Sequence, residues 1–187
     1  APLVVTLHGY DVLVEPSVGY GVRLHKRYSL LVERVLRRAD AVIAASRAVY
    51  REAVKVRGRA EGVHLIPNGV DTERFTPDLN GAPIRRLHGI ESEQVVFTLR
   101  HHAPKYGIAW LILAAKLVLG KREDVVFLIG GDGPLRAFHE SLAKRLGVSR
   151  KVLFTGRISQ SLVPLYYAAS DVVVVPSLQE AWGLVAT

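Results

Sequence analysis

Cysteine and methionine are both absent from the 187 residues. The first absence excludes a disulfide framework, a thiolate metal site and a cysteine nucleophile. With no methionine, and with residue 1 directly ahead of a strand-like run, the sequence reads as an internal piece of a longer protein, with no signal peptide before it. Aromatic residues are only 7% and scattered, which argues against the clustered base-stacking platforms of a nucleic-acid binder. No apolar run approaches the roughly 20 residues of a membrane span. Internal repeats and low-complexity segments are missing as well.

What is present suffices to bury a core: 49% of residues are hydrophobic and 22% charged, outside the range of disordered chains. The net charge is +8, divided as +4 over residues 1–76 and +4 over residues 77–187. An evenly basic surface attracts phosphates of any origin, and charge alone does not choose among nucleotide, nucleic acid and lipid headgroup. An arginine-rich surface that only confers robustness accounts for it equally well.

Apolar β-branched runs predict strands at 3–7, Ala41–Ala44 and 63–66. Between the first two, Leu24, Tyr28, Leu31, Val32 and Val35 recur at helical steps and predict an amphipathic helix over 21–38, with six basic residues on its polar face. Ser46 is the expected N-cap of a helix running to Val56. Pro67-Asn68-Gly69 is a turn signal, and residues 76–94 carry Pro, Asn and Gly with little periodicity, which predicts a linker. Alternation then resumes. Strands are expected at 95–99, 125–129, 152–154 and 172–175, with helices at 108–119, 134–146 and 161–169. All-apolar strands separated by helices predict parallel sheets covered on both faces.

Ligands of open parallel sheets sit beyond the carboxyl ends of the strands. Polar and glycine residues recur at each predicted exit: His8-Gly9-Tyr10-Asp11, Arg100-His101-His102, Gly130 to Pro134, Gly156-Arg157, and Pro176 to Gly183. The loop at 130–134 precedes a helix, so its amides can face an anion. It is not the dinucleotide fingerprint, because Arg136 stands at the third glycine position. Arg100 and Lys105 suit a diphosphate clamp, the first as a fork and the second as a point charge. For His8 a buried, hydrogen-bonded structural role is the bland alternative. His101-His102 lacks a third ligand at metal spacing.

Taken in order, these segments resemble a retaining GT-B glycosyltransferase of family 4. The resemblance rests on Val5-Thr6-Leu7-His8-Gly9, on Arg38 through Ser46, and on Ile66-Pro67-Asn68-Gly69-Val70-Asp71 with Arg74-Phe75. It continues with Gly131-Asp132-Gly133-Pro134-Leu135, Phe154-Thr155-Gly156-Arg157, Tyr167 to Asp171, and Pro176-Ser177 through Glu180-Ala181-Trp182-Gly183-Leu184-Val185. It implies an α/β fold of GT-B type, with two Rossmann-like doubly wound parallel sheets, both incomplete in this fragment. Residues 1–75 would be the C-terminal part of the acceptor-side domain. Residues 76–94 would be the linker, and 95–187 the nucleotide-sugar-binding domain, truncated at its C-terminal end.

The same resemblance implies site residues. His8 and Glu180 would be catalytic, with Glu180 holding the donor sugar hydroxyls. Arg100, Lys105, Gly183, Leu184 and Val185 would bind the donor diphosphate, the last three at a helix N-terminus. Gly131, Asp132, Gly133, Gly156, Arg157 and Ile158 would line the nucleotide. The implied reaction moves a sugar from a nucleotide-diphosphate sugar to an acceptor with retention, in glycolipid or cell-surface polysaccharide synthesis. It needs no metal and no other cofactor. The implied partners are the donor and a sugar or lipid-linked acceptor, on the cytoplasmic side, and no nucleic acid; the basic helix over 21–38 suits an anionic membrane surface and suits a plain solvated face equally well. Two departures stand out. Leu99 replaces the glycine before the diphosphate arginine, and Tyr106 occupies the slot of the phosphate lysine, with Lys105 one residue earlier. The family's second glutamate falls at position 188, beyond this sequence. The departures keep a second reading open, a catalytically impaired nucleotide-binding or regulatory module on the same fold.

Overall fold

Short runs of apolar, largely β-branched residues form seven strands, all parallel, in two separate sheets. The structure is a computed structural model that describes residues 1–187. The chain divides into two units. One comprises residues 1–69 with 179–185 and Thr187, the other residues 70–178 with Ala186.

The first unit holds β1 (Val4–Leu7), α1 (Lys26–Arg38), β2 (Ala41–Ala44), α2 (Arg47–Arg57) and β3 (Val63–Leu65), with sheet order β1-β2-β3. Strand β2 is central, and its Val42 and Ala44 are fully buried. Helix α2 buries Val49, Ala53 and Val56, a four- then three-residue step that lays one stripe on the sheet. Ser46 caps it as expected: its Oγ accepts from the Val49 N–H at 3.2 Å. Ser46→Ala removes that acceptor, and urea denaturation should show about 1 kcal/mol of lost stability.

Helix α1 differs from expectation. A separate 3₁₀ turn, Val22–Leu24, precedes it, and His25 between them is extended (φ −95°, ψ 119°). The break uncouples Leu24 from the helical phase. Tyr28, Leu31 and Val35, expected on the core face, are exposed, while Leu36 is buried and Val32 packs beside it. Val4 of β1 is exposed too. The assumption that both faces of every strand are covered fails at this edge.

The second unit holds α3 (Ala82–Leu87), β4 (Gln94–Leu99), α4 (Ile108–Leu119), β5 (Val125–Gly130), α5 (Arg136–Arg145), β6 (Val152–Gly156), α6 (Val163–Ala168) and β7 (Val172–Val173). Its sheet order is β6-β5-β4-β7, and all six residues of β5 are buried. Val125, Phe127 and Ile129 join one apolar cluster with α4 and α5 residues, while Val126 and Leu128 join another with Ile84 and Tyr166. Alternate residues of a strand point to opposite faces, so helices cover both faces and the sheet is doubly wound. Edge strand β7 is the exception, with Val172 and Val173 exposed.

The predicted linker contains ordered structure. Helix α3 lies inside 76–94, and its Ile84, together with Ile90, is buried in the second unit. Arg85 donates to the Ala169 carbonyl at 3.0 Å and to the Glu93 carbonyl. Six residues make under two helical turns, too few for a period to show in the sequence. The division between the two units falls between Gly69 and Val70. No helix is long and apolar enough to cross a membrane.

Candidate functional site

In the second unit, three strand exits meet. Arg100 leaves β4, and its N–H donates to the Gly130 carbonyl at 3.0 Å. The glycine loop after β5 folds directly onto this segment. The His102 N–H donates to the Asp132 carbonyl and the Leu135 N–H to the His102 carbonyl, both at 2.9 Å. The Gly131 N–H donates to the Gly156 carbonyl at 2.8 Å, which ties in the exit of β6. Gly131 has φ +111°, and a Cβ there would lie 1.9 Å from the Arg100 carbonyl oxygen. Only glycine permits that approach. Ile158 completes the wall, since its Cδ1 lies 2.7 Å from where a Gly130 Cβ would be. Arg100, Gly131, Asp132, Gly133, Gly156, Arg157 and Ile158 are thus gathered at one end of one sheet.

Lys105 belongs to the same end. The Leu178 N–H, beyond β7, donates to its carbonyl at 2.8 Å. Its ammonium lies 4.7 Å from the centre of the Tyr106 ring, and the Arg100 guanidinium carbon lies 5.8 Å from that same centre. Arg100 is buried although charged, and its positive charge opposes the upward push that burial exerts on the Tyr167 hydroxyl.

One expectation for the glycine loop changes. The amide of Gly131 is engaged with Gly156, and that of Gly133 donates to the Asp132 carboxylate at 2.8 Å. These amides hold the scaffold together, which leaves the charged side chains as the groups open to an anion. Arg136 adds to them, with a guanidinium nitrogen 3.0 Å from the notional Gly156 Cβ. In the sequence Arg136 only served to reject a fingerprint. Arg157 is almost fully exposed and 3.7 Å from Asp132, a contact of little energetic weight.

Behind the loop lies a pair that sequence reasoning missed. His102 and His139 are both buried, with Nδ1 atoms 3.1 Å apart. One Nδ1 must carry hydrogen and the other accept it, so the pair cannot hold two protons without setting N–H against N–H. Burial, reinforced by His102, lowers His139 to about 4. Burial, reinforced by Arg136, lowers His102. The two residues are 37 apart in sequence with no shared pattern, so no spacing signal announced them. No three His, Asp or Glu side chains come together in a way that could hold a metal ion.

The remaining predicted residues lie in the first unit. His8 stands exposed at the end of β1, not buried as the bland alternative required. The Asp11 carboxylate accepts from the His8 and Gly9 N–H groups, each at 2.9 Å, and so shapes the turn that presents it. Gly9 has φ +103°, and a Cβ on it would sit 2.1 Å from that of Ala181 and 3.3 Å from the Tyr20 hydroxyl. Ala181 packs on the core of the first unit. Gly183, Leu184 and Val185, expected with Arg100 and Lys105 at the donor diphosphate, lie with Glu180 and His8 in the first unit. Behind Gly183, the residues Leu184–Ala186 form a 3₁₀ turn.

The segment 82–187 matches the family model described as glycosyl transferases group 1, and residues 1–74 match glycosyltransferase family 4. A GDP-mannose-dependent alpha-(1-6)-phosphatidylinositol monomannoside mannosyltransferase from Mycolicibacterium smegmatis is 30% identical over 97% of this chain and 46% of its own length. Anabaena HepE in complex with UDP superposes with a TM-score of 0.76 at 26% identity, over 95% of this chain and 47% of HepE. WaaG, a glycosyltransferase of lipopolysaccharide biosynthesis, shares the fold with a TM-score of 0.77 at 24% identity, over 98% of this chain and 52% of its own. The chain spans about half the length of the curated relatives it matches.

Proposed function

Because the chain belongs to the glycosyl transferases group 1 family, with a GT-B fold of which it spans about half, we propose that it is part of an enzyme that transfers a sugar from a nucleotide-diphosphate sugar with retention of configuration. The observation that carries this reading is the meeting of Arg100, Lys105 and the two glycine turns at the carboxyl ends of β4, β5 and β6. A charged fork and an ammonium beside glycine turns suit a diphosphate next to a nucleoside. HepE, of like fold, was crystallised with UDP, and the mycobacterial relative is named for GDP-mannose.

In the proposed reaction the bond between the anomeric carbon and the diphosphate oxygen breaks while the acceptor oxygen bonds to the same face. The acceptor proton passes to the departing diphosphate. Arg100 and Lys105 stabilise the charge that develops on that leaving group without a metal. His8 and Glu180 attend the sugar, and the first unit carries the acceptor. Exposed Leu30 and Leu31 lie on α1 with Arg27, Arg34 and Arg37, which supports contact with an anionic cytoplasmic membrane surface holding a lipid-linked acceptor in glycolipid or cell-surface polysaccharide synthesis. Tyr106 in the lysine slot favours the second reading, an impaired nucleotide-binding or regulatory module.

A thermal-shift panel with UDP, GDP, ADP and dTDP tests the donor half. One nucleotide at 100 times its Kd should stabilise the chain by about 2.7 kcal/mol. Arg100→Ala should weaken its binding by roughly 10- to 30-fold, the loss of one charged hydrogen-bonding group. A flat response to all four nucleotides would sink the donor reading. Sugar transfer by the whole protein separates the enzyme from the impaired module.

A further inference from the structure

We propose that Tyr106 is a positioning residue for the diphosphate clamp: its ring spaces and orders the Arg100 and Lys105 cations so that a lysine displaced by one residue still meets the diphosphate. The inference rests on the donor-site reading above. Four observations carry it. The Lys105 ammonium is 4.7 Å and the Arg100 guanidinium carbon 5.8 Å from one ring centre. The His101 ring meets the same tyrosine edge-on at 6.2 Å. Tyr106 is itself half-buried, and the 3₁₀ turn Pro104–Tyr106, ended by Gly107, sets its backbone. The Leu178 N–H fixes the Lys105 carbonyl.

Two cations held near each other repel, and a long lysine side chain loses much freedom on being fixed. A π face attracts both and offsets part of each cost. When a diphosphate arrives, its charge replaces that mutual repulsion with attraction, and little ordering remains to be done. The ring thus explains how this chain accommodates an aromatic residue where a cation is expected. Its contribution is selective for ligands carrying a diphosphate, because a nucleoside monophosphate lacks the group both cations address.

The test is calorimetric titration of the 187-residue chain with inorganic pyrophosphate, and with UDP and GDP each against its monophosphate. Tyr106→Leu should raise the Kd for pyrophosphate and for the bound diphosphate about 10-fold, with the monophosphate Kd within a factor of two and the thermal midpoint unmoved. Tyr106→Phe keeps the ring face and should retain wild-type affinity. Lys105→Ala should weaken pyrophosphate binding in the wild type, and much less in the Tyr106→Leu background. By proton NMR the Lys105 Hε resonances should show an upfield ring shift that survives in Tyr106→Phe and is lost in Tyr106→Leu.

Equal losses in the Leu and Phe variants would overturn the proposal in favour of a role for the hydroxyl. Unchanged pyrophosphate affinity in Tyr106→Leu overturns it outright, as does a wild-type chain that does not bind pyrophosphate. Failure of the donor reading has a different signature. Pyrophosphate would still bind in a Tyr106-dependent manner, while no nucleoside diphosphate bound more tightly than pyrophosphate.

Discussion

Gly131→Ala should cost the chain about 3 kcal/mol or more and take nucleotide binding with it. Two penalties combine. The backbone sits at φ +111°, where a side chain is strained, and the new methyl would lie 1.9 Å from the Arg100 carbonyl oxygen. That oxygen is backbone and cannot swing away as a flexible side chain would. Relief requires the loop after β5 to lift from the β4 exit, which breaks the bonds from Gly131 to Gly156 and from His102 to Asp132. The loss should therefore appear both in urea denaturation and as a missing thermal shift with the nucleotide that stabilises the wild type. Gly69→Ala is the control: nothing lies within 4 Å of its notional Cβ, so its stability should change by no more than about 0.5 kcal/mol. A Gly131→Ala chain as stable as Gly69→Ala would contradict the close packing of the two strand exits.

The second large effect is acid sensitivity. His139 is lowered from 6.5 to about 4 in the fold, chiefly by burial. The unfolded chain therefore binds a proton more readily than the folded one. Stability from this group is fully present above about pH 6.5 and is lost as pH falls toward 4. Between pH 7 and pH 5 the loss should be about 2 kcal/mol. His102, also lowered by burial, acts in the same direction. The groups bearing on the pair are Arg136, Asp132, His101 and Glu140, and both signs are represented. Glu93, lowered to about 2 by its bond from Lys151, loses its contribution only as pH falls below about 4.5, so the two windows separate.

Urea denaturation at pH 7, 6 and 5 should trace this slope, and His139→Phe should flatten it whatever its absolute stability. Nitrogen NMR at pH 6 should find both imidazoles neutral and in opposite tautomers. An imidazolium signal from either would refute the account. The functional consequence follows from the backbone. His102 holds the glycine loop through its own N–H and C=O, so nucleotide affinity should decline over the same pH range.

Much of this was legible in the residues. The runs at Ala41–Ala44 and Ile108–Leu119, and the Ser46 cap, were read at their observed places, because pattern and capping are local properties. Helix α3 was not, being too short to display a period. Of the stripe read for α1, Leu24 lies outside the helix, beyond the break at His25, and Tyr28, Leu31 and Val35 are exposed. That break depends on the extended backbone at His25, which no residue type there announces.

The site divides along the same line. The order of strands and glycine turns in the sequence was enough to mark Arg100, the loop at 131–133 and the turn at 156–158 as neighbours, since parallel strands deliver their exits to one end of a sheet. The sequence by itself also determined the family, through motifs kept in order along the chain. Only the tertiary structure decided that Ala181 packs against Gly9, that Tyr106 lies against both cations, and that His102 and His139 share one buried contact. Each of these is a meeting of residues distant in sequence or turned by a local backbone angle. Such meetings are set by how elements pack, and packing leaves no period and no fixed spacing in the chain.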